Sequence, residues 1–386
     1  MSLQLLLIGG GHAHLGVLSL LAKRHRSGID VTLVSEHVAQ VYTGMLPGHL
    51  AGHYTLEECS IPLDPVAEAA RADFVRARIV GSDLEQRVAL SDRGGVLPFD
   101  FVSIDIGPAP ELKAIPGLEH ALPIRPADQL LAVWRALETR FAGTPLPQVL
   151  AVVGGGPAGT EVIAALAWRA RQAKLQLKPS LITGNAGLLP GFPRAVRRLM
   201  QRRLTDLGVR VIEADAESIR PNAVTIRGAG EFHADVIVAS LGAAAAEWPR
   251  ESGLKVDPRG FIAVNRHLQS LSHPFVFAAG DCATMVERPF PKSGVYAVRS
   301  GATLGENLLR VMTRRRLLRY RPQRRALYLL SAGGQDAVGA WGPVVFDGAW
   351  VWRWKDRIDR KFVAQYNPRL IEPRPTRGST RQRNTR

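Results

Sequence analysis

The stretch Leu5-Leu6-Leu7-Ile8-Gly9-Gly10-Gly11-His12-Ala13-His14 opens the chain. Its plan returns in Val149-Leu150-Ala151-Val152-Val153-Gly154-Gly155-Gly156-Pro157-Ala158-Gly159. In each, a short apolar run reads as a buried strand, breaks into Gly-x-Gly, and opens a helix. Glycine here lets backbone approach a pyrophosphate, and the helix N-terminus adds free N–H groups and a positive dipole end. One such turn is a common joint between small residues. Two in strand–turn–helix context predict two bound dinucleotides, FAD and NAD(P)H. The chemistry that needs both is hydride transfer between a nicotinamide and a flavin.

Working outward from the first turn, a helix is expected from about Ala13 to Arg26 and a second strand over 31–35. Glu36 ends that strand, where a carboxylate would hold the adenosine ribose hydroxyls. Residues 73–106 alternate as short strands with a turn at Asp92-Arg93-Gly94-Gly95, ending in a buried strand stopped by Gly107. The second unit repeats the plan: strand 148–153, a helix from Pro157 to about Lys174, and a buried strand stopped by Gly242. The fold class is therefore α/β with two Rossmann-like dinucleotide-binding domains. Residues 275–283 then read as a strand delivering Gly280-Asp281. A ribityl hydroxyl suits Asp281 better than a phosphate, since carboxylate and phosphate repel. Lys292 and Ser293 precede a helix running to about Arg310. Its positive end and the lysine are expected at the flavin N1–C2=O edge, where reduction leaves negative charge. In the C-terminal region, Ala349 to Trp354 reads as a strand, which puts Trp350, Trp352 and Trp354 on one face.

The composition excludes several classes. Among 386 residues there are two cysteines, Cys59 and Cys282, far apart in sequence, so neither a disulfide scaffold nor a dithiol redox pair is expected. His12 and His14 form a His-x-His pair with no carboxylate or third histidine nearby in sequence, so no metal site is expected. They are assigned to the FAD phosphate region or to packing. No apolar run reaches the ~18–20 residues of a membrane span. No basic leader precedes the first strand, and a cytoplasmic location is expected. The formal net charge of +16 gathers at Arg194 to Arg203, at Arg310 to Arg325, and in the tail after Arg369. No nucleic-acid motif accompanies that charge, so nucleic acid is not an expected partner. An anionic membrane surface is a candidate partner, because the three tryptophans lie among Arg353, Lys355, Arg357, Arg360 and Lys361; a core or flavin-covering face is the other reading of those tryptophans.

With both turns and Gly280-Asp281 in hand, the chain resembles the pyridine nucleotide-disulfide oxidoreductase superfamily over roughly residues 3–310. The resemblance implies an FAD domain (1–110 and 245–310) interrupted by an NAD(P)H domain (111–244). A small C-terminal α+β region (311–366) and a disordered basic tail (367–386) follow. It also implies that Glu161, in Gly159-Thr160-Glu161, faces the nicotinamide and the flavin. The stretches 9–14, 44–55 and 350–360 narrow the likeness to NADH dehydrogenase-like flavoproteins associated with selenide, water dikinase. A functional association with that kinase would follow by association only.

Three departures matter. His14 stands where the third glycine of the first turn belongs. The redox-active cysteine pair is absent, which leaves direct reduction of an external acceptor, a quinone above all. Gly184 stands where a carboxylate would prefer NADH, so NADH preference should be weak; Asn185 and Arg194 would even suit NADPH. The alternatives are a flavoenzyme reducing a selenium or sulfur species, and a flavin-dependent redox sensor that binds a partner.

Overall fold

The computed structural model describes residues 2–366 apart from 25–26, 112–114, 125–126 and 144–146; the basic tail lies outside the described residues. The first unit runs β1 (Leu3–Ile8), α1 (His12–Lys23), β2 (Ile29–Ser35), the short helix α2 (Leu46–Leu50), β3 (Ala72–Arg76) and β4 (Phe101–Ile104). Between β3 and β4 lies a three-stranded antiparallel meander, Ile79–Asp83, Val88–Ser91 and Val96–Pro98. The second unit runs β5 (Gln148–Val153), α3 (Pro157–Gln172), β6 (Leu177–Ile182), α4 (Arg194–Asp206), β7 (Arg210–Ile212) and β8 (Val236–Ala239).

The chain then returns to the first sheet with β9 (Val276–Ala278) and α5 (Gly294–Met312). It closes with the antiparallel strands β10 (Leu327–Ser331), β11 (Ala337–Trp341) and β12 (Val344–Gly348), and the helix α6 (Ala349–Ala364). The first sheet has the order β9-β4-β1-β2-β3, all parallel. The second has Leu122–Pro123, then β8-β5-β6-β7, also all parallel. Both are α/β sheets of the doubly wound kind.

Parallel strands covered on both faces need apolar residues on both faces. Leu5 to Ile8 and Leu150 to Val153 meet that demand, every one of them buried. The registers Ile8↔Val34 and Ile8↔Ile104 bring the exits of β2, β1 and β4 level. Val153↔Ile182 and Val153↔Ala239 do the same in the second sheet. Each glycine turn therefore leaves the carboxyl edge of its sheet beside two neighbouring strand ends, where α/β folds bind ligands. Helix α1 packs between the first sheet and α5. Glycines allow the close approach: a Cβ on Gly301 would lie 2.6 Å from the Ala13 carbonyl oxygen.

The C-terminal region differs from the strand expected at Ala349 to Trp354. Those residues open α6. The three tryptophans do not share a face. Trp350 and Trp354 stack one turn apart (6.4 Å, 10° between planes) against Phe346, while Trp352 turns toward His53 and Tyr54. The helix-forming signal is the buried stripe Val351, Lys355, Asp359 and Phe362, spaced by four, four and three. Two of those four are charged, so apolar periodicity alone misses it, while Trp-x-Trp-x-Trp imitates a strand.

Candidate active site

The first turn is held by its own sheet. Gly9 adopts φ +93, and a Cβ there would fall 2.4 Å from the Asp105 carbonyl oxygen. At Gly11 a Cβ would fall 2.4 Å from the Asp105 carboxylate. Asp105 follows β4 and is 3% exposed. Its Oδ2 accepts the N–H groups of Ala13 (2.7 Å) and His14 (3.0 Å), and its carbonyl accepts that of Gly11 (3.2 Å). A carboxylate thus caps the start of α1. Burial, with a smaller push from Asp281, raises its pKa to about 7; the two backbone N–H groups pull the other way. Asp105 escaped the sequence reading. The available signal was one acid at the end of an otherwise apolar strand, Val102-Ser103-Ile104-Asp105.

His14 is accommodated inward, fully buried. Its Nδ1 lies 2.6 Å from the Gly9 carbonyl oxygen and its Nε2 lies 2.8 Å from Ser103 Oγ. A carbonyl only accepts, so Nδ1 carries the proton and Nε2 accepts from the serine. Burial lowers its pKa to about 4, which keeps the ring neutral. His12 is neutral for the same reason, also at about 4. Its ring packs against Tyr42 (5.6 Å) and Phe362 (5.8 Å), and its Nε2 is buried without a partner.

The other residues assigned to the first cofactor come to the same sheet edge. Glu36 directly follows β2, half exposed, 3.4 Å from His37. Gly107 (φ +70) follows Asp105, and Gly280 (φ +70) leads the turn carrying Asp281. A Cβ on Gly280 would fall within 2.2 Å of Asp105 Oδ1. Ser293 occupies the N-cap position of α5, and its buried hydroxyl has no partner. Lys292, beside it, turns back on the short strand Ala283–Met285. It donates to Thr284 Oγ1 (2.9 Å) and to the Ala283 carbonyl, and lies 4.0 Å over the Phe261 ring. Burial lowers its pKa, against the pull of Cys282 and Asp281.

Two helix starts with orphaned buried polar atoms, His12 Nε2 and Ser293 Oγ, suit a polar group laid across α1 and α5. FAD, a polar dinucleotide, fits that demand.

The second turn has a freer start. Gly154 (φ +124) would press a Cβ to 2.2 Å from the Ser240 carbonyl oxygen, and Gly159 to 2.1 Å from that of Gly154. Gly156 has nothing within 4 Å of its Cβ position. Packing does not demand glycine there; the position faces open space.

Glu161, on the second turn's helix, is where the C-terminal region meets the dinucleotide units. Its Oε1 accepts the Ser331 N–H (2.8 Å). Burial raises its pKa to about 7, with Lys355 pulling it down and Asp359 pushing it up. Lys355 is itself buried on α6, bonded to Asp359 Oδ2 (2.5 Å) and the Gly44 carbonyl (2.5 Å). Tyr42 bonds Asp359, and burial raises its pKa. Tyr54 donates to Asp356 (2.8 Å), and Arg360 pairs with Glu58 (2.8 Å). So the stretches 44–55 and 350–360, joined in the sequence only by resemblance, meet in space. Lys355, which the sequence offers only as part of a basic flank, and Asp359, which it does not single out, are functional candidates. Among the described residues no cluster of His, Cys, Asp and Glu could hold a metal.

Comparison with known proteins agrees with this geometry. The sequence pattern of the pyridine nucleotide-disulphide oxidoreductase family matches residues 3–301. A relative in Bacillus subtilis, the NADH dehydrogenase-like protein YutJ, is 24% identical over 74% of this chain and 78% of its own. The type II NADH:quinone oxidoreductase of Staphylococcus aureus is 22% identical over 89% of this chain and 90% of its own. The sulfide:quinone oxidoreductase of Aquifex aeolicus shares the fold with a TM-score of 0.81 at 19% identity, covering 97% of this chain and 93% of that one. NDH2 of Plasmodium falciparum does so with a TM-score of 0.79 at 14% identity, covering 97% and 100%. The chain belongs to the pyridine nucleotide-disulphide oxidoreductase family, as a flavoprotein enzyme that works with FAD and NAD(P)H.

Proposed function

We propose that this enzyme passes electrons from NAD(P)H through FAD to a quinone. Bound FAD supplies the two-electron chemistry; the chain's own residues bind, orient and handle protons. In this reading Gly9, Gly11, His12, Gly107, Gly280 and Asp281 seat the FAD, with His14 fixing the turn behind it and Glu36 taking the adenosine ribose. Gly154, Gly156 and Gly159 seat the nicotinamide nucleotide. Lys292, placed at the head of α5, adds positive charge at the flavin's side.

The observation that carries the acceptor is the cluster around Glu161. Reducing a quinone to a quinol takes two protons as well as two electrons. A carboxyl raised to about 7 holds and releases a proton near neutral pH, which suits a general acid. The buried ammonium of Lys355 restrains that rise and keeps the group titratable. Cysteine-based chalcogen chemistry has less support. Cys59 and Cys282 are both buried, and burial pushes each thiol up to about 12, so neither supplies a thiolate at neutral pH.

A membrane location for the acceptor is supported by α6 and its neighbours. Trp341 and Val344 (each 55% exposed) and Trp350 (51%) leave apolar area in water beside exposed Arg353, Arg357 and Lys361. No helix among the described residues is long and apolar enough to cross a membrane. This surface, with the basic tail, suits peripheral binding to anionic lipid, each cation contributing about 1 kcal/mol.

The test is anaerobic. NADH or NADPH is added and flavin bleaching followed; a panel of quinones, selenium compounds and sulfur compounds is then offered. Quinones should restore the oxidised spectrum fastest. Faster recovery with a chalcogen compound would replace the quinone reading. Cosedimentation with anionic vesicles should weaken on deleting 367–386 or on Trp350→Ser. Absence of binding at low salt would favour an acceptor free in solution.

A further inference from the structure

The second turn's nucleotide selectivity has no source at the usual place, since β6 exits into Thr183 and Gly184. The structure supplies one from the neighbouring strand. β7 ends at Ile212, and the chain leaving it carries Glu213, Asp215 and Glu217. Gly184 adopts φ +75, and a Cβ built on it would stand 3.1 Å from Asp215 Oδ1. The Asp215 carboxylate therefore occupies the space a side chain at position 184 would enter. Thr183 lies against the turn itself, 2.6 Å from the Cβ position of Gly155. We infer that Asp215 reads the ribose of the nicotinamide nucleotide and makes the second turn select NADH over its 2′-phosphorylated form. This rests on the NAD(P)H reading above and names the group that would decide between the two nucleotides.

The geometry of Asp215 fits a fixed reader. Oδ1 accepts the Asn185 N–H (2.9 Å), and Oδ2 accepts the Asn185 side-chain amide (2.5 Å) and Arg227 (3.2 Å). A carboxylate oxygen takes about two hydrogen bonds, so Oδ1 keeps a place open toward Gly184 for a ribose hydroxyl. Asn185, which from sequence suited a phosphate, gives its amide to Asp215 instead. Arg227 is also engaged: its Nε bonds Glu217 (2.9 Å) while its NH1 bonds Asp215. Glu213 adds a third carboxylate, 3.4 Å from the Cβ position of Gly187. Three carboxylates against one arginine leave this rim negative. A 2′-phosphate would meet like charge and unpaired desolvation, while a diol would meet an acceptor.

Binding is measured on the holoenzyme in two ways, by the rise in Tm with NADH or NADPH and by saturation of anaerobic flavin bleaching. Wild type should bind NADH tighter by about tenfold or more. Asp215→Asn keeps shape and removes charge, and should bring the two nucleotides within about threefold. Asp215→Glu should keep the NADH preference. Equal binding of both nucleotides by wild type overturns the inference whether or not any variant folds, as does an unchanged ratio in Asp215→Asn. If neither nucleotide raises Tm nor bleaches the flavin, the NAD(P)H reading itself fails.

Discussion

The two glycine turns carry the same strand–turn–helix plan, yet their surroundings differ. In the first, the strand beside the turn exits into Asp105, and its carboxylate caps two N–H groups of α1. In the second, the matching residue is Ser240, whose N–H bonds the Val153 carbonyl as that of Asp105 bonds Ile8. Ser240 brings no carboxylate to the start of α3. The first turn is thus braced by protein and keeps few free donors. The second keeps its donors open, with clear space at Gly156. A braced turn suits a cofactor held through many turnovers, and an open one suits a nucleotide that enters and leaves each cycle.

The largest expected contrast is between Gly11→Val and Gly156→Val. The first drives Cγ atoms into Asp105 and should give colourless protein with a Tm lowered by roughly 10 °C. The second meets open space; it should stay yellow, melt as wild type, and lose bleaching by NADH. A yellow, stable Gly11→Val protein would remove the distinction between the turns.

Next comes the ion pair behind the second helix. Lys355→Met strands a buried Asp359 and should cost about 3 kcal/mol in urea unfolding, with the double change Lys355→Met/Asp359→Leu recovering most of it. The single variant should also raise the apparent pKa of acceptor reduction, because Lys355 no longer restrains Glu161. An unmoved pH profile would separate Lys355 from Glu161.

Asp105 gives a smaller, pH-graded effect. Its pKa is raised from an unfolded value of about 3.9 to about 7. The fold therefore favours the protonated form. That stability is fully present below about pH 4 and is lost as pH rises through about 7. Between pH 5 and pH 8 the wild type should lose ~2–3 kcal/mol that Asp105→Asn does not. Parallel pH curves for the two proteins would mean the backbone N–H groups keep Asp105 charged. The least effect is expected from Gly184→Glu. Sequence alone has this change restoring NADH preference. With φ +75 and Asp215 already in place, it should instead cost about 1 kcal/mol and leave NADH binding no tighter. Tighter NADH binding would return the ribose to position 184.

The dinucleotide units were legible because their signals are local. Apolar runs, Gly-x-Gly and the break into a helix lie within about a dozen residues of one another. The groups that set the chemistry were not. Asp105 acts on residues 13 and 14, and Asp215 acts beside residue 184. Lys355 acts on residue 44 and Glu161. Each reaches its partner only when strand ends or a terminal helix come together. Charged residues on a buried helix stripe also cancel the apolar period that would reveal the helix, as in α6.

That last helix sets the order of events in the chain's synthesis. Tyr42, Gly44, Tyr54 and Glu58 are made early, while their partners on α6 lie about 300 residues downstream. At about 5–20 residues per second they wait roughly 15–60 s for Lys355 to Arg360 to leave the ribosome. Until then His12 lacks the Phe362 ring that closes over it. A chain broken off before position 349 would carry both glycine turns and still lack the ring that packs on His12 of the first.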